Sequence, residues 1–80
     1  MKRSREEILA QILDTCEKSA SKTRIVYQVN LNFKTVKPYL KTLIGSKLIE
    51  VSPGKNVLYE TTQKGANLLE SINRVNEELS

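Results

Sequence analysis

The residues with the clearest chemical role in this 80-residue chain are the lysines and arginines of its middle third. Between Glu17 and Glu50 there is no carboxylate, and seven cations stand there: Lys18, Lys22, Arg24, Lys34, Lys37, Lys41 and Lys47. The rest of the chain carries nine carboxylates and six cations, so a formal charge of +7 in the middle accompanies −3 elsewhere. A one-signed surface of this kind favours a polyanionic partner, and the phosphate backbone of duplex DNA is the leading candidate.

The residues needed for catalysis are missing. The chain has no histidine and one cysteine, Cys16, so neither a His/Cys zinc site nor a Ser-His-Asp triad fits within one copy. The three glycines, Gly45, Gly54 and Gly65, are too scattered for a phosphate-binding loop. We therefore expect a protein that is not an enzyme and has no cofactor, and no small-molecule effector site is evident.

Other sequence features indicate where the protein works. A lone cysteine cannot form an intrachain disulfide, which suits a reducing compartment. No apolar run is long enough to span a membrane, and the basic start is followed by Glu6 and Glu7, where a secretory signal would be apolar. We expect a cytoplasmic, nucleoid-associated protein. Lys2, Arg3 and Arg5 are interpreted as a flexible basic arm, although termini of this kind are often simply disordered.

Three predicted helices position these cations, and the first two span residues 4–17 and 24–29. Ser4 and Glu7 form a capping box, which predicts a first helix over residues 4–17 with Cys16 buried in its apolar stripe. Residues 22–23 are interpreted as a very short strand, and Thr23 as the cap of a second helix over residues 24–29. Asn30 is suited to end that helix in the left-handed conformation.

Asn32 is the expected N-cap of a third helix over residues 33–46. Its apolar stripe is predicted to comprise Phe33, Val36, Leu40, Leu43 and Ile44. Lys34, Pro38, Lys41 and Gly45 project from the opposite side, with Lys37 beside them. Pro38 lacks the amide hydrogen that the helix needs at that position, so a bend is predicted there. Two helices joined by a tight turn, with the basic face on the second, constitute a helix-turn-helix.

Two strands and a last helix follow. Residues 48–51 and 57–59 are predicted strands joined by a turn-rich loop over residues 52–56, a hairpin that forms a wing. Thr61 or Thr62 then caps a helix that reaches Leu79. Its apolar positions are Leu68, Leu69, Ile72, Val75 and Leu79. This seam packs either on the first helix or on a second copy; we favour the second copy, with Asn76 beside the seam as a register-fixing residue.

Short motifs in the same order resemble those of known proteins. Residues 22–27, KTRIVY, resemble the Lys-Thr-Arg-Ile-Met-Tyr stretch of the archaeal 10a-type DNA-binding proteins. Residues 31–43, LNFKTVKPYLKTL, and the Tyr59 to Gly65 stretch with two threonines resemble archaeal winged helix-turn-helix regulators. The resemblance covers residues 4–72. It implies an α+β, mostly helical, winged helix-turn-helix with a C-terminal dimerisation helix.

These observations assign expected roles. Residues 1–61 are predicted to form the winged helix-turn-helix and residues 62–80 the dimerisation helix of a single domain. The expected function is sequence-specific or semi-specific binding of double-stranded DNA by a homodimeric transcriptional regulator. The alternatives are a small chromatin-architectural protein and a protein–protein adaptor with an acidic partner. The candidate DNA-binding residues are Arg24, Tyr27, Asn32, Lys34, Thr35, Lys37, Lys41, Lys55 and Asn56.

Several candidates have a second, purely structural interpretation. Lysines often do no more than form the solvent-exposed face of a helix. Thr35 can form a hydrogen bond to the backbone of its own helix. Asn32 is a cap before it is a DNA contact, and Tyr27 is equally suited to partial core packing. The segment around Lys55 and Asn56 is also a good turn in its own right.

Overall fold

The computed structural model describes residues 3–79. The elements in order are α1 (Arg5–Thr15), a 3-10 turn (Cys16–Lys18), α2 (Lys22–Val29), α3 (Phe33–Gly45), β1 (Ile49–Ser52), β2 (Leu58–Thr61) and α4 (Gln63–Leu79). The mostly helical winged helix-turn-helix fold expected from the sequence is confirmed. No helix among the described residues is long and apolar enough to cross a membrane.

Side-chain caps set the starts of the helices. The Ser4 hydroxyl accepts a hydrogen bond from the Glu7 amide at 3.1 Å, as predicted. The Ser21 hydroxyl accepts one from the Arg24 amide at 3.2 Å, so α2 begins at Lys22. The prediction of a strand at residues 22–23 with Thr23 as cap is therefore wrong, because Ser21 satisfies the first turn two residues earlier.

Left-handed residues end α2 and α3. Asn30 has φ 59° and ψ 49°, and its amide donates to the carbonyl of Val26, which confirms its predicted role. Lys47 has φ 62° and follows the last turn of α3. Its amide donates to the Ile44 carbonyl while the Leu48 amide donates to the Leu43 carbonyl. This pair of bonds is the Schellman arrangement, in which the left-handed position usually holds glycine.

The core lies between α1, α2 and α3, closed at one side by the hairpin and α4. Its fully buried side chains are Ile12, Leu13, Cys16, Ile25, Val29, Val36, Leu43 and Ile49. Phe33 was predicted to join this apolar stripe, but its side chain is 51% exposed. The reason is that Leu31, in the turn before α3, packs against the core instead. Helix α3 is continuous through Pro38, and the bend predicted there stays a prediction.

The hairpin is tied to the chain segment ahead of α2. Strands β1 and β2 are antiparallel, with Ile49 opposite Thr61 and Ser52 opposite Leu58. Ala20 forms a bridge to Tyr59, whose amide and carbonyl bond Ala20 at 2.8 and 2.9 Å. This isolated bridge, and not a strand at residues 22–23, fixes the wing against the helix-turn-helix.

Helix α4 begins on the turn between α3 and β1. The Thr62 hydroxyl accepts from the Gly65 amide at 3.0 Å, which confirms Thr62 as the cap. The same hydroxyl donates to the Lys47 carbonyl, and the Thr62 amide donates to the Leu48 carbonyl. The helix then packs along α1. Just before α4, the Thr61 hydroxyl donates to the Leu13 carbonyl near the end of α1 at 2.6 Å, whereas Ile72 and Val75 line a groove with Glu6 at the start of α1. Helices α1 and α4 therefore run in opposite directions.

Candidate nucleic-acid interface

The exposed face of α3 presents cations above an apolar underside. Asn32 starts the helix, because its side-chain oxygen accepts the Thr35 amide at 2.7 Å. From there the 3.6-residue period buries Val36, Leu40 and Leu43 and turns the intervening residues outward. Lys34, Lys37 and Lys41 are all exposed, as the sequence pattern predicts.

These lysines have no partner within the described part of the chain. None of Lys34, Lys37 and Lys41 makes a hydrogen bond or ion pair with another residue in positions 3–79. Helix α3 itself contains no carboxylate. Their charges are therefore compensated only by solvent and counterions, and a bound phosphate backbone releases those counterions with a gain in free energy.

Part of the basic surface continues onto α2. Lys22, Lys37 and Lys41 line one open groove of about 390 Å³ whose floor includes Leu40, Ile44 and Tyr59. Lys22 was outside the predicted set of DNA-binding residues. Lys22 could have been included if the first residue of α2 had been predicted correctly, because α2 begins at Lys22 and its side chain lies beside α3.

The two candidates on α2 are placed differently. Tyr27 is 83% exposed, so the alternative of partial core packing does not apply to it. Arg24 is also exposed, but it lines a groove with Asp14, Glu17 and Lys18 on the α1 side of α2. Lys22 and Arg24 are two residues apart and therefore about 200° apart around the axis of α2. Because Lys22 lies beside the α3 lysines, Arg24 is on the other side of α2, away from them.

The wing and the N-terminus flank α3. Lys55 and Asn56 are exposed at the tip of the hairpin, next to Gly54, whose φ of 145° requires glycine. Arg5 and Thr35 line a common groove with Pro38, so the start of α1 lies beside the exposed face of α3.

Arg3 corrects the expectation of a flexible basic arm. Its guanidinium donates to the side-chain oxygen of Gln11 at 2.6 Å and to the backbone carbonyls of Val29 and Asn30. A cation at the carbonyl end of α2 is favoured by the helix dipole, so Arg3 is anchored. Of the other two members of that predicted arm, Arg5 is the first residue of α1 and Lys2 lies outside the described residues.

The predicted seam on α4 is split between the core and the surface. Leu69 is 5% exposed and belongs to the core, so it holds α4 to its own domain and is unavailable to a second copy. Leu68, Val75 and Leu79 are 36%, 52% and 82% exposed. Ile72 and Val75 line an open groove beside Glu6 at the start of α1.

This chain is similar to several known proteins. An uncharacterized protein of Methanocaldococcus jannaschii, MJ0290, is 36% identical over 76 residues, which cover 94% of this chain but only 35% of that protein. The chain therefore spans about a third of the length of this relative. Among solved structures, Sso10a-2 of Sulfolobus solfataricus, described as a DNA-binding protein, matches with a TM-score of 0.82 and 27% identity. The match covers 96% of this chain and 85% of Sso10a-2.

The transcriptional regulator BldR of the same organism matches with a TM-score of 0.82 and 20% identity, covering 91% of this chain and 56% of BldR. At that identity the likeness shows the fold. A protein-family model described as winged helix-turn-helix matches residues 2–80. The chain therefore belongs to the winged helix-turn-helix family, and it shares its fold with Sso10a-2 and BldR.

Proposed function

We propose that this protein binds double-stranded DNA as a homodimer and acts as a transcriptional regulator in the cytoplasm, associated with the nucleoid. The observation that carries the proposal is the unpartnered trio Lys34, Lys37 and Lys41 on the exposed face of α3. An α-helix fits the major groove of B-form DNA, and cations on its sides then meet phosphates along the groove edges.

Residues around α3 supply the remaining contacts. The Asn32 side chain uses its oxygen for capping, which leaves its amide hydrogens to donate to a phosphate at the helix N-terminus. Thr35 makes no side-chain hydrogen bond to its own helix, so its hydroxyl is available to DNA. Tyr27 and Arg24 on α2 serve as backbone contacts, and Lys55 and Asn56 on the wing reach flanking phosphates or the minor groove.

A second copy is proposed to cover the α4 seam, now defined as Leu68, Ile72, Val75 and Leu79. Their spacing of 4, 3 and 4 residues forms one stripe on a helix, and this stripe lies beside the core-facing side of α4. Leu68, Val75 and Leu79 are exposed and Ile72 is half-buried, and apolar side chains left uncovered at this spacing favour pairing with an identical helix. In this scheme residues 1–61 carry the DNA contacts and residues 62–80 the dimer contacts.

The dimer is tested by sedimentation equilibrium of wild type, Val75→Asp and Asn73→Asp. Asn73 is also exposed but lines the opposite side of α4, so it matches the introduced charge without touching the seam. We expect wild type and Asn73→Asp to sediment as dimers and Val75→Asp to shift to monomer, because the carboxylate would be desolvated in the interface. If all three proteins sediment as monomers, or if Val75→Asp remains a dimer, the proposal that the α4 seam forms the dimer interface is wrong.

DNA binding is tested by titrating fluorescent duplex DNA with wild type and two triple variants. One variant is Lys34→Ala/Lys37→Ala/Lys41→Ala, and the control, Lys18→Ala/Asn73→Asp/Arg74→Ala, lowers the net charge by the same three units away from α3. We expect the control to bind nearly as well as wild type and the α3 variant to lose at least about a hundredfold in affinity. Equal losses in both variants would mean that net charge, and not α3, governs binding.

The second candidate is a small chromatin-architectural protein that binds double-stranded DNA without sequence preference. The two candidates differ in the ratio of affinities for a selected site and for random duplex. A regulator should show a ratio of about a thousand or more, whereas an architectural protein should show a ratio near one. If the protein does not bind duplex DNA even at low salt, the result would favour an acidic protein as the partner of the basic surface.

A further inference from the structure

The exposed face of α3 has a strip of uncharged residues. This strip lies between Arg5 on one side and Lys37 and Lys41 on the other. Thr35, Pro38 and Thr42 follow one another at spacings of three and four residues, which places them in one line along the helix. They line a groove of about 350 Å³ together with Tyr39 and Arg5, and Arg5 comes from α1. Lys37 and Lys41 line a different groove on the other side of α3.

Within residues 3–79, three of the six threonine hydroxyls make no hydrogen bond: those of Thr35 and Thr42 in this strip, and that of Thr23 on α2. The hydroxyls of Thr15, Thr61 and Thr62 all donate to backbone carbonyls, at 2.8, 2.6 and 2.8 Å. Among the described residues, the hydroxyls of Thr35 and Thr42 have no such acceptor, although both residues sit in a helix where that bond is available. Both side chains therefore present a free donor and acceptor to whatever lies against α3.

Arg5 is the cation on the far side of the strip. It is exposed and has no carboxylate or carbonyl partner within residues 3–79, in contrast to Arg3 and Arg74. Its backbone is held in place by the preceding residues, since Arg3 bonds the last carbonyls of α2 and Ser4 caps α1. A guanidinium binds a phosphate through two parallel hydrogen bonds, which the ammonium groups of the α3 lysines do not.

We infer that Thr35, Pro38 and Thr42 form the base-reading edge of α3, and that Arg5 holds the phosphate backbone on the strand opposite the one met by Lys37 and Lys41. This inference rests on the proposed DNA binding. The threonine hydroxyls exchange hydrogen bonds with base edges in the major groove, and the threonine methyls and the Pro38 ring contact thymine methyls. The lysines and Arg5 then fix the register of the helix without reading sequence.

The test combines affinity, salt dependence and base preference, measured on the full chain by selection from a random duplex library and by titration of the selected duplex. Arg5→Ala is compared with Arg74→Ala, which removes a cation from α4. We expect Arg5→Ala to weaken selected and random duplexes alike, by about tenfold, and to lower the salt slope by about one per protomer. Arg5→Lys should recover part of the loss. Arg74→Ala should bind as wild type does.

Thr42→Val keeps shape and methyl but removes the hydroxyl, while Thr42→Ser keeps the hydroxyl and removes the methyl. We expect Thr42→Val to keep the salt slope and to lose about tenfold in discrimination at one base pair, and Thr42→Ser to weaken a thymine preference. Unchanged preferences in Thr35→Val/Thr42→Val, or equal behaviour of Arg5→Ala and Arg74→Ala, would overturn the inference while leaving the proposed function standing. A wild-type protein that binds no duplex would overturn both.

Discussion

Gly65 lies directly against the backbone of Leu48: a Cβ built on Gly65 would stand 2.2 Å from the Leu48 carbonyl oxygen and 2.8 Å from the Thr61 methyl. The same carbonyl accepts the Thr62 amide, so it cannot move without breaking the start of α4. We predict that Gly65→Ala lowers the free energy of unfolding by about 3 kcal/mol, as measured by urea denaturation.

The matched control for this change is Gly45→Ala. Gly45 also lies in a helix, but no atom comes within 4 Å of a Cβ built there. We expect Gly45→Ala to leave stability unchanged or to raise it by less than about 1 kcal/mol, because alanine is the better helix former. Equal destabilisation by both substitutions would show that the close approach of α4 to Leu48 is absent.

Lys47 occupies the left-handed position that ends α3, at a backbone angle where a side chain is unfavourable. We predict that Lys47→Gly raises the free energy of unfolding by about 1 kcal/mol, seen as a higher midpoint in thermal or urea unfolding. Lys47→Ala removes the same charge and keeps the Cβ, so it should give no such gain. A gain of equal size in both variants would assign the effect to charge.

Cys16 is buried in the core, and burial raises the pKa of its thiol from 9.0 to about 12. Because the folded pKa lies above the unfolded one, the neutral thiol contributes stability that is complete below pH 9 and declines as the pH rises towards 12. We predict that the stability difference between wild type and Cys16→Ala is constant up to about pH 8 and shrinks between pH 9 and 11, measured by urea unfolding. A difference that stays constant up to pH 11 would contradict this.

Asn32 caps α3 through its side-chain oxygen, and aspartate provides the same acceptor. We predict that Asn32→Asp keeps the wild-type unfolding midpoint, whereas Asn32→Ala loses about 1 kcal/mol. Asn32→Asp should nevertheless weaken duplex binding, because it places a negative charge where a phosphate is expected to approach. If Asn32→Asp binds duplex DNA as tightly as wild type, the N-terminus of α3 does not contact a phosphate.

The sequence predicted the order and type of the elements because each helix has a local signal. Ser4, Asn32 and Thr62 all cap as expected, and Asn30 ends α2 in the expected conformation. These signals depend on neighbours within four residues, which a single sequence contains. The start of α2 was misplaced because Ser21 and Thr23 are both good caps, and only the Ala20–Tyr59 bridge decides between them.

What the sequence alone could not supply was long-range contact. Phe33 and Leu69 both follow an apolar stripe, yet Phe33 is half-exposed and Leu69 is in the core, because helix packing and not periodicity determines which residues are covered. The places of Arg3 on α2 and of Arg5 beside α3 depend on how α1 crosses the helix-turn-helix. No pattern within the first five residues indicates that crossing.

The measurement that tests the central claim most directly is the affinity of wild-type protein for duplex DNA at about 50 and about 200 mM salt. If two protomers together neutralise about six phosphates, the affinity should fall by roughly a thousandfold over this range. Such a fall would support an interface with the phosphate backbone of the duplex. Absence of binding at the lower salt, or an affinity that does not change with salt, would contradict it.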